Sequence, residues 1–140
     1  MEWCGKNISV HVIHLTRGEK GKPKNWDWAT PETVASIRLS EVNASLSRLG
    51  VSWSALTYPD LELIKTPIDE IVAEVLKRVR NRPCGALFSF LPSLPMICVD
   101  HPDHDIAGRV TQFVGAAADV DDFMSEIPAT LTNLDRENIA

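Results

Sequence analysis

Apolar positions along this chain switch between a strand period and a helix period, and the switches mark its elements. Ile8 to Leu15 (ISVHVIHL) is β-branched and mostly apolar, between Gly5-Lys6-Asn7 and Thr16-Arg17-Gly18, which predicts a buried strand. A loop runs from Gly18 to Ala29, and loops of this length in compact domains are often functional. Thr30-Pro31 predicts a helix start, with a hydroxyl at the cap and a proline where the missing N–H is harmless. Val34, Ile37, Val42, Leu46 and Leu49 follow near helical spacing, and Gly50 suits the end of that helix. Val51 to Tyr58 (VSWSALTY), closed by Pro59-Asp60, predicts a second strand.

The start signal recurs at Thr66-Pro67, with Asp69 placed for a weak capping box. Ile68, Ile71, Val72, Val75, Leu76 and Val79 then form a clean apolar stripe. Lys77, Arg78, Arg80 and Arg82 favour the negative end of that helix dipole. Gly85 to Phe90 (GALFSF) predicts a third strand. A loop broken by Pro92 and Pro95 leads to Asp100-His101-Pro102-Asp103-His104, and a third helix is predicted from Asp105 to about Val120. From Asp121 to Ala140 the pattern is ambiguous, with a short helix around Phe123 as one reading. Strand and helix alternate three times, which predicts an α/β fold with a parallel sheet. Ligands of such folds gather at the carboxyl ends of the strands. Here those ends are Thr16-Arg17-Gly18-Glu19, Tyr58-Pro59-Asp60 and the loop from Leu91 to His104.

Length and charge narrow the picture. A chain of 140 residues is one domain's worth, with enough length for a hydrophobic core. The formal net charge of −5 argues against a chain-wide grip on nucleic acid or anionic lipid. Cys4, Cys84 and Cys98 are odd in number and far apart, so a disulfide framework is not expected. No apolar run reaches membrane-span length and no signal-peptide pattern opens the chain, which leaves a cytoplasmic location as the expectation.

The four histidines fall in two pairs. His11 and His14 lie three apart in a predicted strand, so they point to opposite faces and cannot easily share a metal. His101 and His104 lie at a turn entering a helix, with Asp103 between them. Neutral imidazole is a common zinc ligand and a neighbouring carboxylate can orient it. A capped polar turn facing water explains the same residues equally well. Lys20, Lys22 and Lys24 with Trp26 and Trp28 read either as an aromatic platform for a sugar or as a solvated loop with two anchoring indoles. Arg38 and Glu41 fit an ordinary ion pair on a helix surface.

Taken together, these segments resemble the LmbE-like, or PIG-L, de-N-acetylase family. Val10 to Gly21 (VHVIHLTRGEKG) is similar to the family's second strand and its Thr-Arg-Gly-Glu loop. Arg38-Leu39-Ser40-Glu41 with Leu49-Gly50-Val51 resembles its Arg-x-x-Glu helix, and Tyr58-Pro59-Asp60 its next loop. Asp100 to His104 with Ala107-Gly108-Arg109 resembles its second histidine motif. The resemblance implies a Rossmann-like three-layer α/β domain with a mostly parallel sheet. It implies a hydrolase of a linear amide C–N bond, removing acetyl from an N-acetylglucosamine-type conjugate with Zn2+ or another divalent metal.

By that resemblance His104 is a metal ligand. His101 stabilises the tetrahedral intermediate or protonates the amine, and Asp103 serves beside it. Arg38, Glu19, Arg17 and Asp60 are expected at the sugar. The family's His-Pro-Asp-Asp-Glu motif, source of two metal ligands and the general base, does not occur in this sequence. Met1-Glu2-Trp3-Cys4 matches the last turn of the helix after it. The expectation is therefore a single partial domain over 1–140, incomplete at both ends, with 121–140 as a tail and an incompletely liganded metal. A catalytically dead descendant that binds a sugar or partner is the alternative. A homo-oligomer is compatible with either.

Overall fold

The computed structural model describes residues 8–82, 84–90, 92 and 101–125. They fall into two compact units that divide between Glu62 and Leu63.

The first unit is a strand–helix–strand motif: β1 (His11–Thr16), α1 (Pro31–Arg48) and β2 (Ser52–Tyr58). The two strands pair in parallel, His11 with Ser52 through His14 with Ala55, and the register slips before Thr16 meets Tyr58. Parallel neighbours need a crossover, and α1 with its flanking loops provides it. Thr30 caps α1 by accepting the Thr33 N–H at 3.2 Å, and Pro31 takes the first turn. Gly50 closes the helix in the left-handed region at φ 67°, which a side chain would resist. Val34, Ala35, Val51 and Leu56 form the core with Ala29 from the loop. The predicted stripe on α1 holds in part, because Leu49 at its end is exposed.

The second unit runs from a 3₁₀ turn (Leu63–Lys65) through α2 (Ile68–Arg80), β3 (Ala86–Phe90), α3 (Pro102–Ala118) and β4 (Asp121–Ser125). The predicted stripe on α2 is its inner face, with Ile71, Val75 and Val79 buried. They pack in one unit with Leu63, Val110 and Val114. Thr66 does not cap α2. Pro67 occupies the cap position in an extended conformation, and no side-chain cap bond forms. The Thr66 N–H instead closes the 3₁₀ turn on the Leu63 carbonyl, at 3.0 Å. Asp69 therefore helps only as a first-turn acid.

Two further boundaries differ from the sequence expectation. The third helix starts at Pro102 rather than Asp105, because His101 itself caps it and Pro102 fits its first turn. The segment around Phe123 is a strand, not a short helix. Asp119 ends α3 in the left-handed region, and residues 121–125 then pair in parallel with β3, Ala86 with Asp121 through Phe90 with Ser125. Pairing with a distant strand has overridden weak local preference. No helix among the described residues is long and apolar enough to cross a membrane. Cys84 is a free thiol whose S–H donates to the Ala86 carbonyl, and Cys4 and Cys98 lie outside the described residues.

Candidate active site

Arg17, Glu19, Arg38 and Asp60 belong to the first unit, and His101, Asp103 and His104 to the second. In the first unit Glu19 and Asp60 are bonded to each other in a frame at the carboxyl ends of β1 and β2, while Arg17 and Arg38 bond to Glu32 and to Gly21 and Glu41. Asp60 is its centre. One carboxylate oxygen accepts the Thr16 hydroxyl at 3.0 Å, and the other accepts the Lys20 backbone N–H at 3.1 Å. The Asp60 N–H donates to Glu19 Oε1 at 2.8 Å. Glu19 Oε2 is buried and has no hydrogen-bond partner among the described residues. A buried carboxylate oxygen left unpaired is energetically exposed to any incoming donor.

Arg17 reaches sideways to the first turn of α1. Both terminal nitrogens donate to Glu32, at 2.9 and 3.1 Å, in the fork geometry that suits a carboxylate. The hydrogen bond and charge of Arg17 hold the Glu32 carboxyl below its ordinary range, and Glu32 raises Arg17 in turn. Arg38 Nε and Nη2 donate to the Gly21 carbonyl, while Nη1 pairs with Glu41 at 2.9 Å. The Arg38/Glu41 ion pair read from spacing is present, and the same guanidinium also pins the long loop. Thr16 and Lys20 complete the bonds around Asp60, and Glu32, in the first turn of α1, is the partner that the sequence did not single out.

Asp60→Ala is expected to leave the Thr16 hydroxyl and Lys20 N–H without acceptors, at a cost of about 1–3 kcal/mol. Asp60→Asn keeps an acceptor oxygen and should lose less. Urea unfolding of both variants reads the difference, and an unchanged midpoint in Asp60→Ala would count against the frame.

Between β1 and α1 lies a cleft of about 430 Å³, lined by Val12, His14, Arg38, Val42 and Leu46 among others. His14 sits edge-on to Trp53, with ring centroids 6.1 Å apart. Its Nε2 is buried without a hydrogen-bond partner among the described residues, and burial pushes the imidazole below its usual value of 6.5. The unfolded chain then binds this proton more readily than the folded one. Stability should therefore fall as pH drops below about 6.5. Comparing unfolding free energies at pH 7.5 and 5.5 in wild type and His14→Gln tests this, and equal slopes would contradict it. His11 lies on the other face, where its ring meets Ser52 and Ser54 at 2.8 and 3.1 Å. The two strand histidines do point apart.

In the second unit the first turn of α3 gathers both remaining imidazoles. His101 Nδ1 accepts the Asp103 N–H at 3.1 Å. A backbone N–H can only donate, so Nδ1 carries a lone pair and the ring proton of the neutral tautomer lies on Nε2. The His104 ring stacks on Phe90, the last residue of β3, at 3.9 Å between centroids and 7° between planes. The two imidazole centroids are 5.3 Å apart. Asp103 is buried, and its Oδ1 accepts the Leu63 N–H at 3.2 Å, tying the 3₁₀ turn to α3. Gly108, one turn on, lets α3 approach β3 closely: a Cβ there would strike the Phe90 carbonyl oxygen and the Pro92 backbone nitrogen.

His104 can offer one metal ligand. A catalytic zinc takes three protein ligands. Among the described residues no three His, Cys, Asp or Glu side chains come together in that way. Those residues do not by themselves fit a complete centre.

Parallel strands joined by crossover helices define an α/β protein. The chain belongs to the PIG-L family, described as GlcNAc-PI de-N-acetylase, whose model matches residues 1–114. Among solved structures it is similar to the N,N'-diacetylchitobiose deacetylase from Pyrococcus horikoshii complexed with its inhibitor MPG. The TM-score is 0.72 at 26% identity. The match covers 82% of this chain and 41% of that one. No curated protein matches. The family resemblance and the α/β fold class read from the sequence are both borne out.

Proposed function

We propose that this chain carries N-deacetylase chemistry, cleaving the amide C–N bond of an N-acetylglucosamine-type conjugate and releasing acetate. The observation that carries the reading is the first turn of α3. There His101 commits Nδ1 to the backbone and keeps Nε2–H for a ligand, 5.3 Å from a second imidazole. Family membership and the chitobiose deacetylase neighbour supply the substrate class.

Water adds to the acetyl carbonyl carbon, giving up one proton that returns to the nitrogen when the C–N bond breaks, and the carbonyl oxygen becomes an oxyanion. A neutral Nε2–H donor aimed at that oxygen is stronger in the transition state than in the ground state, which is what acceleration requires. Collapse breaks the C–N bond and leaves acetate and a free amine. His101 serves better as this donor than as a source of the amine's proton. Full transfer from Nε2 would leave an anionic ring unless Nδ1 first gave up the Asp103 N–H and took a proton. Asp103 holds the turn in place. Within the first unit, Glu19 is the residue proposed to meet a sugar hydroxyl, through the carboxylate that also accepts the Asp60 N–H. Arg17, Arg38 and Asp60 hold the loop that presents it.

Formation of free amine from N,N'-diacetylchitobiose, with divalent metal supplied, tests the reading. Absence of product across several N-acetylglucosamine conjugates would overturn it. His104 is further proposed as one ligand of a divalent metal, zinc first. His104→Ala is expected to lower bound zinc to background by mass spectrometry after dialysis. Metal content unchanged by the substitution refutes that assignment.

A further inference from the structure

The loop between β1 and α1 holds a feature that the frame around Asp60 does not use. Trp28 is 66% exposed, which is unusual for so large an apolar ring. Trp26 beside it is half-buried, with ring centroids 5.8 Å apart and planes tilted by 38°. Trp28 is therefore not an anchoring indole.

Its backbone is nevertheless well held. The Trp26 N–H donates to the Pro23 carbonyl and the Ala29 N–H to the Trp26 carbonyl, both at 3.0 Å, so two tight turns bracket the pair. Ala29 is buried immediately after Trp28, and Arg38 fixes Gly21 before it. An exposed aromatic on a pre-ordered loop binds with little further loss of entropy.

The surroundings say what kind of ligand fits. Lys22, Lys24, Asn25 and Asp27 are all exposed on the same loop. An apolar ring among short-range polar donors and acceptors is unlike the centre of a protein interface, where charged residues are depleted. It matches a pyranose, whose axial C–H groups form an apolar face and whose hydroxyls ring that face.

We propose that Trp28, with Trp26 behind it, is a stacking platform for a hexopyranose ring of a glycan. Lys22, Lys24 and Asp27 contact its hydroxyls. This rests on the amino-sugar deacetylase reading for the identity of the glycan.

Calorimetric titration of the protein with N,N'-diacetylchitobiose and with N-acetylglucosamine tests it, alongside acetate release. Trp28→Ala is expected to weaken disaccharide binding about tenfold, the scale of an aromatic stacking contact. Trp28→Phe should restore most of that loss. If binding follows this pattern while wild type releases no acetate, the platform stands and the deacetylase reading falls. If acetate is released but Trp28→Ala binds the disaccharide as wild type does, the platform is overturned. It is also overturned if wild type binds neither saccharide, or if sedimentation shows a dimer that Trp28→Ala dissolves.

Discussion

Gly108→Ala is expected to destabilise the protein strongly. The new Cβ meets backbone, namely the Phe90 carbonyl oxygen and the Pro92 nitrogen, together with the proline ring. None of these atoms can swing aside as a side-chain tip can. Overpacking of this kind costs about 1–3 kcal/mol, and backbone obstruction places it at the upper end. Alanine's better helix propensity returns about 1 kcal/mol, too little to offset it. Relief would have to come from lifting α3 off the end of β3, which also pulls the His104 ring from Phe90. Gly85→Ala is the control, because nothing lies within 4 Å of a Cβ there. A urea midpoint for Gly108→Ala equal to that of Gly85→Ala would show that the close approach is not real.

The second large effect concerns rate. His101→Asn should lower kcat by about 10²–10³, the usual loss for one oxyanion donor. Asparagine is among the best helix caps, and its side-chain oxygen can accept the Asp103 N–H in place of Nδ1. The fold should therefore persist. His101→Ala loses both roles, and its cap loss adds a stability cost of about 1 kcal/mol. The pair separates chemistry from scaffolding. Full kcat in His101→Asn would remove His101 from the mechanism, whereas a rise in KM alone would reassign it to substrate binding.

Much of this was legible before any coordinates. Thr30-Pro31 and Gly50 bracket α1 because capping and left-handed closure depend on two or three adjacent residues. The stripe from Ile68 to Val79 is the inner face of α2, since helical period alone decides which side chains share a side. The opposed faces of His11 and His14 follow from the two-residue period of a strand. The errors share a cause. At Thr66-Pro67 the same letters as Thr30-Pro31 close a 3₁₀ turn instead of capping a helix, because the chain arrives from a different preceding turn. Residues 121–125 became a strand only through pairing with β3, more than thirty positions away.

The candidate residues divide along the same line. The motif resemblance singled out His101, Asp103, His104, Arg17, Glu19, Arg38 and Asp60 as candidates, because chemical type and local order are properties of neighbouring letters. The sequence also carried the family, which rests on the order of short motifs. What each residue touches was decided by tertiary structure. Asp60 is a clasp between Thr16 and Lys20, Arg38 is a pin on the Gly21 carbonyl, and His101 is a cap that leaves only Nε2–H for chemistry. These bonds join residues from two to more than forty positions apart. Their geometry exists only once strands and helices have packed, and no pattern along the chain encodes it directly.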